Sequence, residues 1–463
     1  MAELTVERTA IPGLLIVRMP VHGDSRGWFK ENWQREKMTA LGLPDFGPVQ
    51  NNISYNASRG ATRGIHAEPW DKYVSVATGR IFGAWVDLRD GESFGATVTV
   101  EVDESVAVFV PRGVGNSYQA LEDGTAYTYL VNDHWRPGIT YPALALDDES
   151  AAIEWPIPLR DSEISDKDRT NPRLADVTPF APKAPLILGA NGQVGRALTA
   201  LLPEAVGLDL PDLDLTDPAA LAAYDWSQHD VVINAGAMTA VDAAETPEGR
   251  ALAWAVNAGA VAALARLAVE HRFTLVHYST DYVFDGQSRE HPEDEAMAPL
   301  GVYGQSKAAG ELAATVAPRH YVLRTSWVIG DGGNFVRTMA RLADSGVSPT
   351  VVDDQHGRLT FAEDLAAATV HLLTSDAPFG IYSCTNAGEE VTWADVAREV
   401  FVARGRDAAD VTGVSTAEYA AGKTISPRPT YSLMPLDKLE ATGFTPRDQM
   451  VALAAYLDTL GEQ

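Results

Sequence analysis

The first third of the chain contains short apolar runs, or runs of alternating apolar and polar residues, which are separated by turn residues. Val, Thr, Phe and Trp are frequent in these runs, and Gly, Pro, Asn and Asp recur about every ten residues. This pattern is typical of an antiparallel sandwich or barrel. The predicted strands are Leu14–Val17, Lys72–Val76, Ile81–Leu88, Ala96–Val102, Ala107–Val110 and Ala126–Val131.

From residue 185 onward, apolar strands alternate with helix-length periodic segments. Such alternation indicates a parallel, doubly wound sheet of the Rossmann type. The predicted strands are Leu186–Leu188, Ala205–Leu208, Val231–Ile233, Leu275–Val276, Tyr321–Leu323 and Ile381–Tyr382, and the predicted helices are Val194–Leu202, Arg250–Val269 and Ser306–Thr315.

The segment between the two patterns, residues 170–185, contains four prolines and no helical period. Its composition suits an extended and fairly stiff linker. We therefore expect an all-β domain over residues 1–172, a Pro-rich linker over 173–184 and an α/β domain over 185–463.

The charge balance excludes several classes of partner. Lys and Arg number 36 against 63 Asp and Glu, a formal charge of −27, so we expect neither nucleic-acid nor anionic-membrane binding. The single cysteine, Cys384, fits a reducing compartment and excludes an intrachain disulfide. The first residues lack a signal-peptide core, and the Ala-rich run 251–268 reads as a buried or amphipathic helix. We expect a soluble, cytoplasmic protein.

A glycine-rich turn follows the first strand of the second half. Gly189, Gly192 and Gly195 lie between this strand and a predicted helix, where glycines let the backbone approach a pyrophosphate. Asp209 ends the next strand, where a carboxylate would meet an adenosine ribose hydroxyl. Arg196 could instead attract a 2′-phosphate, so the choice between NADH and NADPH stays open.

Tyr303 and Lys307 lie four residues apart, on one face of a predicted helix. A free phenol, with a pKa of roughly 10, is a poor acid–base group at neutral pH. A neighbouring Lys cation favours the phenolate and brings the pKa towards the working range. The segment Ser279–Tyr282 follows a strand at the carboxyl edge of the predicted sheet, where sites of α/β proteins lie.

These motifs resemble those of the dTDP-4-dehydrorhamnose reductases, extended short-chain dehydrogenases that reduce a nucleotide-linked 4-ketosugar. The resemblance covers residues 185 to about 450 in family order. One departure is Arg358–Thr360, where the family usually has a small residue and a proline before the threonine. The matching segments are Gly189–Gly195, Asn234–Glu245, Ser279–Gly286, Tyr303–Lys307, Arg324–Trp327, Gly333–Phe335, Asp354–Gly357 and Arg428-Pro429.

The resemblance implies roles for individual residues. Thr280, Tyr303 and Lys307 would form the catalytic trio, with Tyr303 protonating the C4 alkoxide during hydride delivery. Trp327, Asn334 and Arg428 would hold the sugar nucleotide. The implied NADPH or NADH site consists of Gly189, Asn191, Gly192, Gln193, Val194, Gly195, Asp209, Ala235, Tyr303 and Lys307.

In the β domain, titratable residues concentrate around one histidine. Only His22, His66 and His134 occur there, too few for the converging imidazoles of a metal-binding cupin, so no metal site is expected. His66 lies near Arg63 and Lys72 in an otherwise apolar sequence, which favours a functional role.

The β domain resembles the dTDP-4-dehydrorhamnose 3,5-epimerases, a cupin-like jelly-roll family whose members are commonly dimers. The resemblance covers residues 10 to about 175, through the segments Asp24–Glu31, Gln50–Ser54, Arg63–His66, Val86–Arg89 and Ile164–Asp168. It implies that His66 is the general base, oriented by Asp168, that Lys72 stabilises an enolate oxygen, and that Tyr129 is the opposing acid. The implied substrate-binding residues are Arg26, Phe29, Glu31, Gln50, Asn52, Arg63, Asn116 and Trp135.

Three departures leave alternatives open. The segment between His66 and Lys72 is short, Trp135 replaces a second tyrosine, and Asn116 replaces a histidine. Our main hypothesis is a bifunctional, homodimeric enzyme that epimerises dTDP-4-dehydro-6-deoxy-D-glucose at C3 and C5 and then reduces the 4-keto group to give dTDP-L-rhamnose. The alternatives for the β domain are a 3-epimerase for another deoxysugar, or a catalytically dead binding or dimerisation module.

Overall fold

The computed structural model describes residues 3–134, 140–375, 377–423 and 425–461. The chain forms two compact units, Met1–Pro182 and Lys183–Gln463. Contacts of the first unit reach into the segment expected to be a linker. Val177 is buried in its core, and the Phe180 N–H donates a hydrogen bond to the Leu88 carbonyl. The Phe180 ring also receives the Arg112 guanidinium at 4.8 Å.

The regular secondary structure of the first unit consists mainly of strands. They are β1 (Thr5–Arg8), β2 (Leu15–Arg18), β3 (His22–Asp24), β4 (Gly27–Phe29), β5 (Gln50–Asn56), β6 (Thr62–His66), β7 (Lys72–Thr78), β8 (Ile81–Asp87), β9 (Thr97–Val102), β10 (Val106–Val110), β11 (Val114–Ala120) and β12 (Thr125–Val131). Its two short helices are α1 (Arg35–Ala40) and α2 (Asp166–Arg169).

Ten of these strands form two antiparallel sheets, in the orders β1-β2-β10-β7-β12-β5 and β6-β11-β8-β9. Buried side chains from both sheets form one cluster, in which Val74 and Val108 of the larger sheet accompany Ile81 and Trp85 of the smaller. Two sheets that share one apolar core in this way make a sandwich. The predicted all-β jelly roll is thus confirmed.

The second unit contains strands and longer helices. The strands are β13 (Leu186–Leu188), β14 (Val206–Leu208), β15 (Val231–Asn234), β16 (Thr274–Thr280), β17 (His320–Thr325), β18 (Val328–Ile329), β19 (Thr350–Val352), β20 (His356–Gly357), β21 (Thr360–Phe361), β22 (Gly380–Ser383), β23 (Val391–Thr392) and β24 (Thr412–Val414). The helices are α3 (Gln193–Leu201), α4 (Pro218–Ala223), α5 (Pro247–Trp254), α6 (Val261–His271), α7 (Val302–Ala314), α8 (Phe335–Asp344), α9 (Ala362–Thr374), α10 (Trp393–Ala403), α11 (Thr416–Ala420), α12 (Asp437–Glu440) and α13 (Gln449–Gly461).

Six of these strands form a parallel sheet in the order β14-β13-β15-β16-β17-β22. The first strand, β13, lies between the second and the third, so the chain leaves it in opposite directions. A crevice forms at the carboxyl ends of the strands where the direction reverses, and ligands of open α/β sheets bind there. The predicted Rossmann-type fold is confirmed.

One helix of the second unit is apolar and long. Pro247–His271 spans 25 residues, and an 18-residue window within it has a mean hydropathy of 1.6, which is enough by length and composition to cross a membrane. Within the unit, however, Val261, Leu264 and Ala265 are buried with Val232 and Leu275 of the parallel sheet. This segment is a core helix, as its interrupted Ala-rich sequence predicts. It contains a π-helical turn at Ala255–Ala260.

Candidate active sites

A histidine and a buried aspartate meet in the first unit. His66 ends β6, and its Nε2 lies 2.8 Å from Oδ1 of Asp168 on α2. Burial raises the pKa of Asp168, but the hydrogen bond and the charge of His66 outweigh burial and hold that pKa below its usual value. The Gly64 N–H also donates to Asp168 Oδ2, at 3.4 Å. The carboxylate therefore stays ionised and fixes one ring nitrogen of His66.

Lys72 and Tyr129 lie on adjacent strands, β7 and β12, of the larger sheet. The Lys72 Nζ is 5.7 Å from the centroid of the Tyr129 ring. It also forms an ion pair with Glu68, a residue that no sequence motif marked. Burial, and next the charge of Glu68, raise the pKa of Tyr129, which keeps its phenol protonated.

Tyr141 is a second residue that sequence reasoning missed. Its ring centroid lies 6.1 Å from that of His66, and the Lys167 Nζ is 5.7 Å from the same ring. Burial raises the pKa of Tyr141, and the charge of Glu68 adds to this shift. The loop that carries Tyr141 has no strand or helix pattern, so its approach to His66 had no signal in the sequence.

Two predicted substrate residues share the smaller sheet with His66. Asn116 of β11 pairs with His66 in register, and its Oδ1 accepts hydrogen bonds from Trp85 Nε1 at 2.9 Å and from the Tyr127 hydroxyl at 3.2 Å. The Arg63 Nε donates to Asn56 Oδ1 at 3.3 Å. Asn116, which stands where the family has a histidine, thus accepts hydrogen bonds from two aromatic side chains.

The remaining predicted substrate residues lie at or beyond the edge of the larger sheet. Gln50 and Asn52 belong to β5, where Asn52 stands opposite Tyr129. The β3–β4 hairpin and the residues after it carry three more, all exposed: Arg26 pairs with Asp24, Glu31 pairs with Lys37, and Phe29 is 64% exposed. Trp135 lies outside the described residues. The structure thus groups Gln50 and Asn52 with Tyr129, and leaves the hairpin residues facing solvent.

In the second unit, the glycine turn forms a close backbone cradle. Gly189 has a φ of +76°, and a Cβ there would lie 2.6 Å from the Gly236 nitrogen. A Cβ on Gly195 would lie 2.1 Å from the Gly189 carbonyl oxygen. Gly192 caps the N-terminus of α3, and the Gln193 Oε1 is buried without a hydrogen-bond partner among the described residues. This cradle fits the pyrophosphate of a dinucleotide.

Other predicted coenzyme residues border the same crevice. The Ala235 N–H donates to the Leu188 carbonyl at 2.9 Å, which joins the ends of β15 and β13. Asp209 follows β14, and its Oδ2 accepts from the Asn191 N–H at 2.9 Å. Val194 packs against the core beneath the turn.

Arg196, the candidate for a 2′-phosphate contact, is already paired. Its Nε lies 3.2 Å from Asp331 Oδ2, and its guanidinium donates to the carbonyls of Asn191 and Asp331. Asp331 thus balances the charge of Arg196 beside the glycine turn.

Tyr303 and Lys307 lie on α7, as predicted, but their partners differ from expectation. Burial raises the pKa of Tyr303, the charge of Asp281 raises it further, and a hydrogen bond with Thr280 opposes the shift. The Lys307 Nζ donates to the Tyr278 carbonyl, and burial lowers the pKa of Lys307 to about 8. The groups that act on the phenol are therefore Asp281 and Thr280, because the ammonium is turned towards strand β16.

Asp281 and Asn257 support this site, and sequence reasoning assigned neither a role. Asp281 Oδ1 accepts from the Thr280 hydroxyl at 2.8 Å, and burial raises the pKa of Asp281 to about 6. Asn257 lies in the π-helical turn and donates to Ser306 Oγ at 3.1 Å, between Tyr303 and Lys307 on α7. π-Turns occur often at functional sites. An Asn inside an Ala-rich helix was the available sequence signal.

The three residues of this unit that were predicted to bind the sugar nucleotide each make different contacts. Trp327 adopts a φ of +47°, and its ring stacks on Trp393 with centroids 3.9 Å apart. Arg428 pairs with Asp242 at 3.0 Å. Asn334 caps α8 through its oxygen, and its amide donates to the Gly330 carbonyl and the Tyr456 hydroxyl, both at 2.8 Å. The side chain of Asn334 is therefore occupied in holding its own loop.

The loop Arg358–Thr360, whose sequence departs from the pattern of the reductase family, borders a polar cavity. The cavity has a volume of about 480 Å³, and charged side chains dominate its lining. Arg358 is half-buried there, and burial lowers its pKa. The lining residues are Arg289, Glu290, Arg358, Gly388, Glu389, Glu390 and Leu433.

The two sites correspond to two known families. A family model described as dTDP-4-dehydrorhamnose 3,5-epimerase matches residues 8–176, and one described as RmlD substrate binding domain matches residues 184–462. The chain belongs to both families. Each half of the sequence resemblance is thereby confirmed.

Individual relatives cover the two units separately. The protein RmlC homolog of Streptococcus pyogenes is 48% identical over 180 residues, 37% of this chain and 90% of that protein. The dTDP-4-dehydrorhamnose reductase of Aggregatibacter actinomycetemcomitans is 39% identical over 289 residues, 58% of this chain and 96% of that protein. A crystal structure of the Bacillus anthracis dTDP-4-dehydrorhamnose reductase in complex with NADP is 30% identical, covers 60% of this chain and 99% of its own, and has a TM-score of 0.55.

The cradle predicts a specific effect of one added methyl group. In Gly195→Ala the new Cβ would overlap the Gly189 carbonyl, so the turn must open and coenzyme binding should weaken at least about tenfold, or ~1.4 kcal/mol. Titration of NADPH and NADH by fluorescence measures this. Gly259→Ala is the matched control, because its Cβ would lie 3.6 Å from the nearest atom, the Trp254 oxygen. Equal affinities in the two variants would contradict the assignment.

Proposed function

We propose that this chain catalyses two consecutive steps: epimerisation of dTDP-4-dehydro-6-deoxy-D-glucose at C3 and C5, and NAD(P)H-dependent reduction of the 4-keto group to dTDP-L-rhamnose. One observation carries this proposal. The same chain holds the His66–Asp168 dyad in an epimerase-family unit and the Tyr303–Lys307 pair in a reductase-family unit. The epimerised ketone, product of the first step, is the substrate of the second.

In the first step, His66 removes a proton next to the ketone. Asp168 occupies Nε2, so Nδ1 is the nitrogen that accepts the proton. The Lys72 ammonium stabilises the negative charge that develops on the enolate oxygen. Tyr129, whose phenol is kept protonated, returns a proton to the opposite face. An acid and a base on opposite faces are what inversion of a carbon centre requires.

In the second step, Tyr303 donates a proton to the C4 oxygen, and Thr280 orients the phenol through their shared hydrogen bond. The nicotinamide coenzyme, when bound, supplies the hydride. Gly189, Gly192 and Gly195 would hold its pyrophosphate, and Asp209 would meet the adenosine ribose. Lys307, held on β16 by the Tyr278 carbonyl, would contact the other ribose.

A product epimerised at C3 alone is a second candidate, since Asn116 replaces a histidine beside His66. Deuterium incorporation from heavy water separates the two. Exchange at C3 without exchange at C5 would favour the 3-epimerase.

The first unit also has the features of a dimerising surface, and we propose a homodimer in the cytoplasm. β5 is an edge strand with Ile53 and Tyr55 exposed at 67% and 65%. An edge strand offers unpaired backbone groups for pairing with another chain, and these two exposed apolar side chains favour such pairing. The buried thiol of Cys384 suits a reducing compartment.

The dimer proposal predicts that a charge introduced on the edge strand β5 lowers the mass of the particle in solution from that of a dimer to that of a monomer. Ile53→Lys places an ammonium in the paired edge and should convert the dimer to a monomer in sedimentation velocity. Val402→Lys, at an exposed residue on α10, should leave the mass unchanged. A monomeric wild-type chain at micromolar concentration would refute the proposal.

Asp168→Asn tests the first step. The substitution keeps the shape but removes the charge that fixes His66, so exchange of substrate protons should slow about 10²–10⁴-fold. Deuterium incorporation measured by NMR gives the rate. Asp166→Asn, on the same turn but exposed, should exchange at the wild-type rate. Equal rates for the two variants would remove Asp168 from the mechanism.

Tyr303→Phe tests the second step. The ring and its packing remain while the acidic proton is lost, so ketone reduction should fall about 10²–10⁴-fold, with proton exchange in the first unit intact. Coenzyme oxidation followed at 340 nm measures the reduction. Lys307→Met should weaken coenzyme binding as well, whereas Tyr303→Phe should not. Unchanged reduction in Tyr303→Phe would point to Tyr282 as the acid.

A further inference from the structure

The epimerisation site contains a largely buried carboxylate, that of Glu68, to which the steps above assign no role. Glu68 lies two residues after His66, and its side chain is 14% exposed. It forms an ion pair with the Lys72 ammonium, whose side chain is 5% exposed. Both charges are thus largely removed from water, and each depends on the other for compensation.

The charge of Glu68 also acts on the phenols of the site. Its charge raises the pKa of Tyr129 and of Tyr141, in each case second only to burial, and contributes at Tyr127. The titratable groups on which it acts are Lys72 of β7, Tyr127 and Tyr129 of β12, and Tyr141. Tyr118 of β11, which raises the pKa of Tyr129, and Arg63 of β6, which lowers it, act on Tyr129 as well. One carboxylate therefore acts on the cation and on the acids of the proposed reaction.

We propose that Glu68 is a positioning residue of the epimerisation site, whose ion pair holds the Lys72 ammonium beside the substrate ketone and the Tyr129 ring. This inference rests on the proposed epimerase function. Lys has a flexible stem, and an ion pair within the site restricts its ammonium to one place. The short segment between His66 and Lys72 brings Glu68 within reach of Lys72.

The proposal predicts the direction in which the pH profile of exchange should move when the charge of Glu68 is removed. Tyr129 acts in its protonated form; burial raises its pKa, and the charge of Glu68 raises it further. Removing the charge of Glu68 lowers the pKa of Tyr129, so activity should be lost at a lower pH. A role in packing alone would change the rate without moving this alkaline limb.

The test is the pH profile of deuterium incorporation into dTDP-4-dehydro-6-deoxyglucose by the full-length protein, followed by NMR between roughly pH 6 and 11. In Glu68→Gln the alkaline limb should move down by about one pH unit. Glu68→Asp keeps the charge and should move the limb by much less. Glu163→Gln, which removes an exposed carboxylate from the same unit, should leave the profile unchanged.

The proposal is overturned if Glu68→Gln lowers the exchange rate by the same factor at every pH and leaves the alkaline limb at its wild-type pH. Loss of exchange at every pH in a folded Glu68→Gln chain would also overturn it, and would make Glu68 a direct proton carrier. If Glu68→Gln does not fold by near-ultraviolet circular dichroism, Glu68→Asp decides: its retracted carboxylate should give a small downward shift, and no shift would contradict the proposal. Absence of exchange in the wild-type chain would instead refute the epimerase function itself.

Discussion

The hydrogen bond between His66 and Asp168 joins segments 102 residues apart and draws β6 and the helix α2 to one place. It holds an ionised carboxylate in a largely buried position, where only its donors stabilise the charge. Gly64 supplies one of those donors, and a Cβ on Gly64 would lie 2.5 Å from Ser117. The geometry of the first site follows from the need to keep this one charge compensated.

The second unit meets the same constraint with different groups. Lys307 is buried and donates a hydrogen bond to a strand carbonyl, while Asp281 is buried beside Thr280 and Tyr303. In both units burial raises the pKa of the acidic phenol, and the charge of a carboxylate raises it further. Tyr129 and Tyr303 are thereby kept as proton donors, which is the form that each proposed step uses.

The sequence pattern predicted both folds because turn residues separate the short apolar or alternating strands of the sandwich and because strands and helices alternate along the second unit. Motifs predicted His66, Asp168, Tyr303 and Lys307 as members of two sites, and the structure brings each pair of elements together. Glu68 and Tyr141 escaped prediction because their roles depend on how a loop folds back in space. The hydrogen bond from Lys307 to the Tyr278 carbonyl escaped prediction for a similar reason, since helical spacing does not determine which way a long side chain turns.

The most direct test is one incubation of the full-length protein with dTDP-4-dehydro-6-deoxyglucose and NADPH in heavy water, with NMR of the product. We expect dTDP-L-rhamnose that carries deuterium at both C3 and C5, formed without any added enzyme. A reduced sugar that retains hydrogen at both carbons would contradict the presence of an epimerase in this chain.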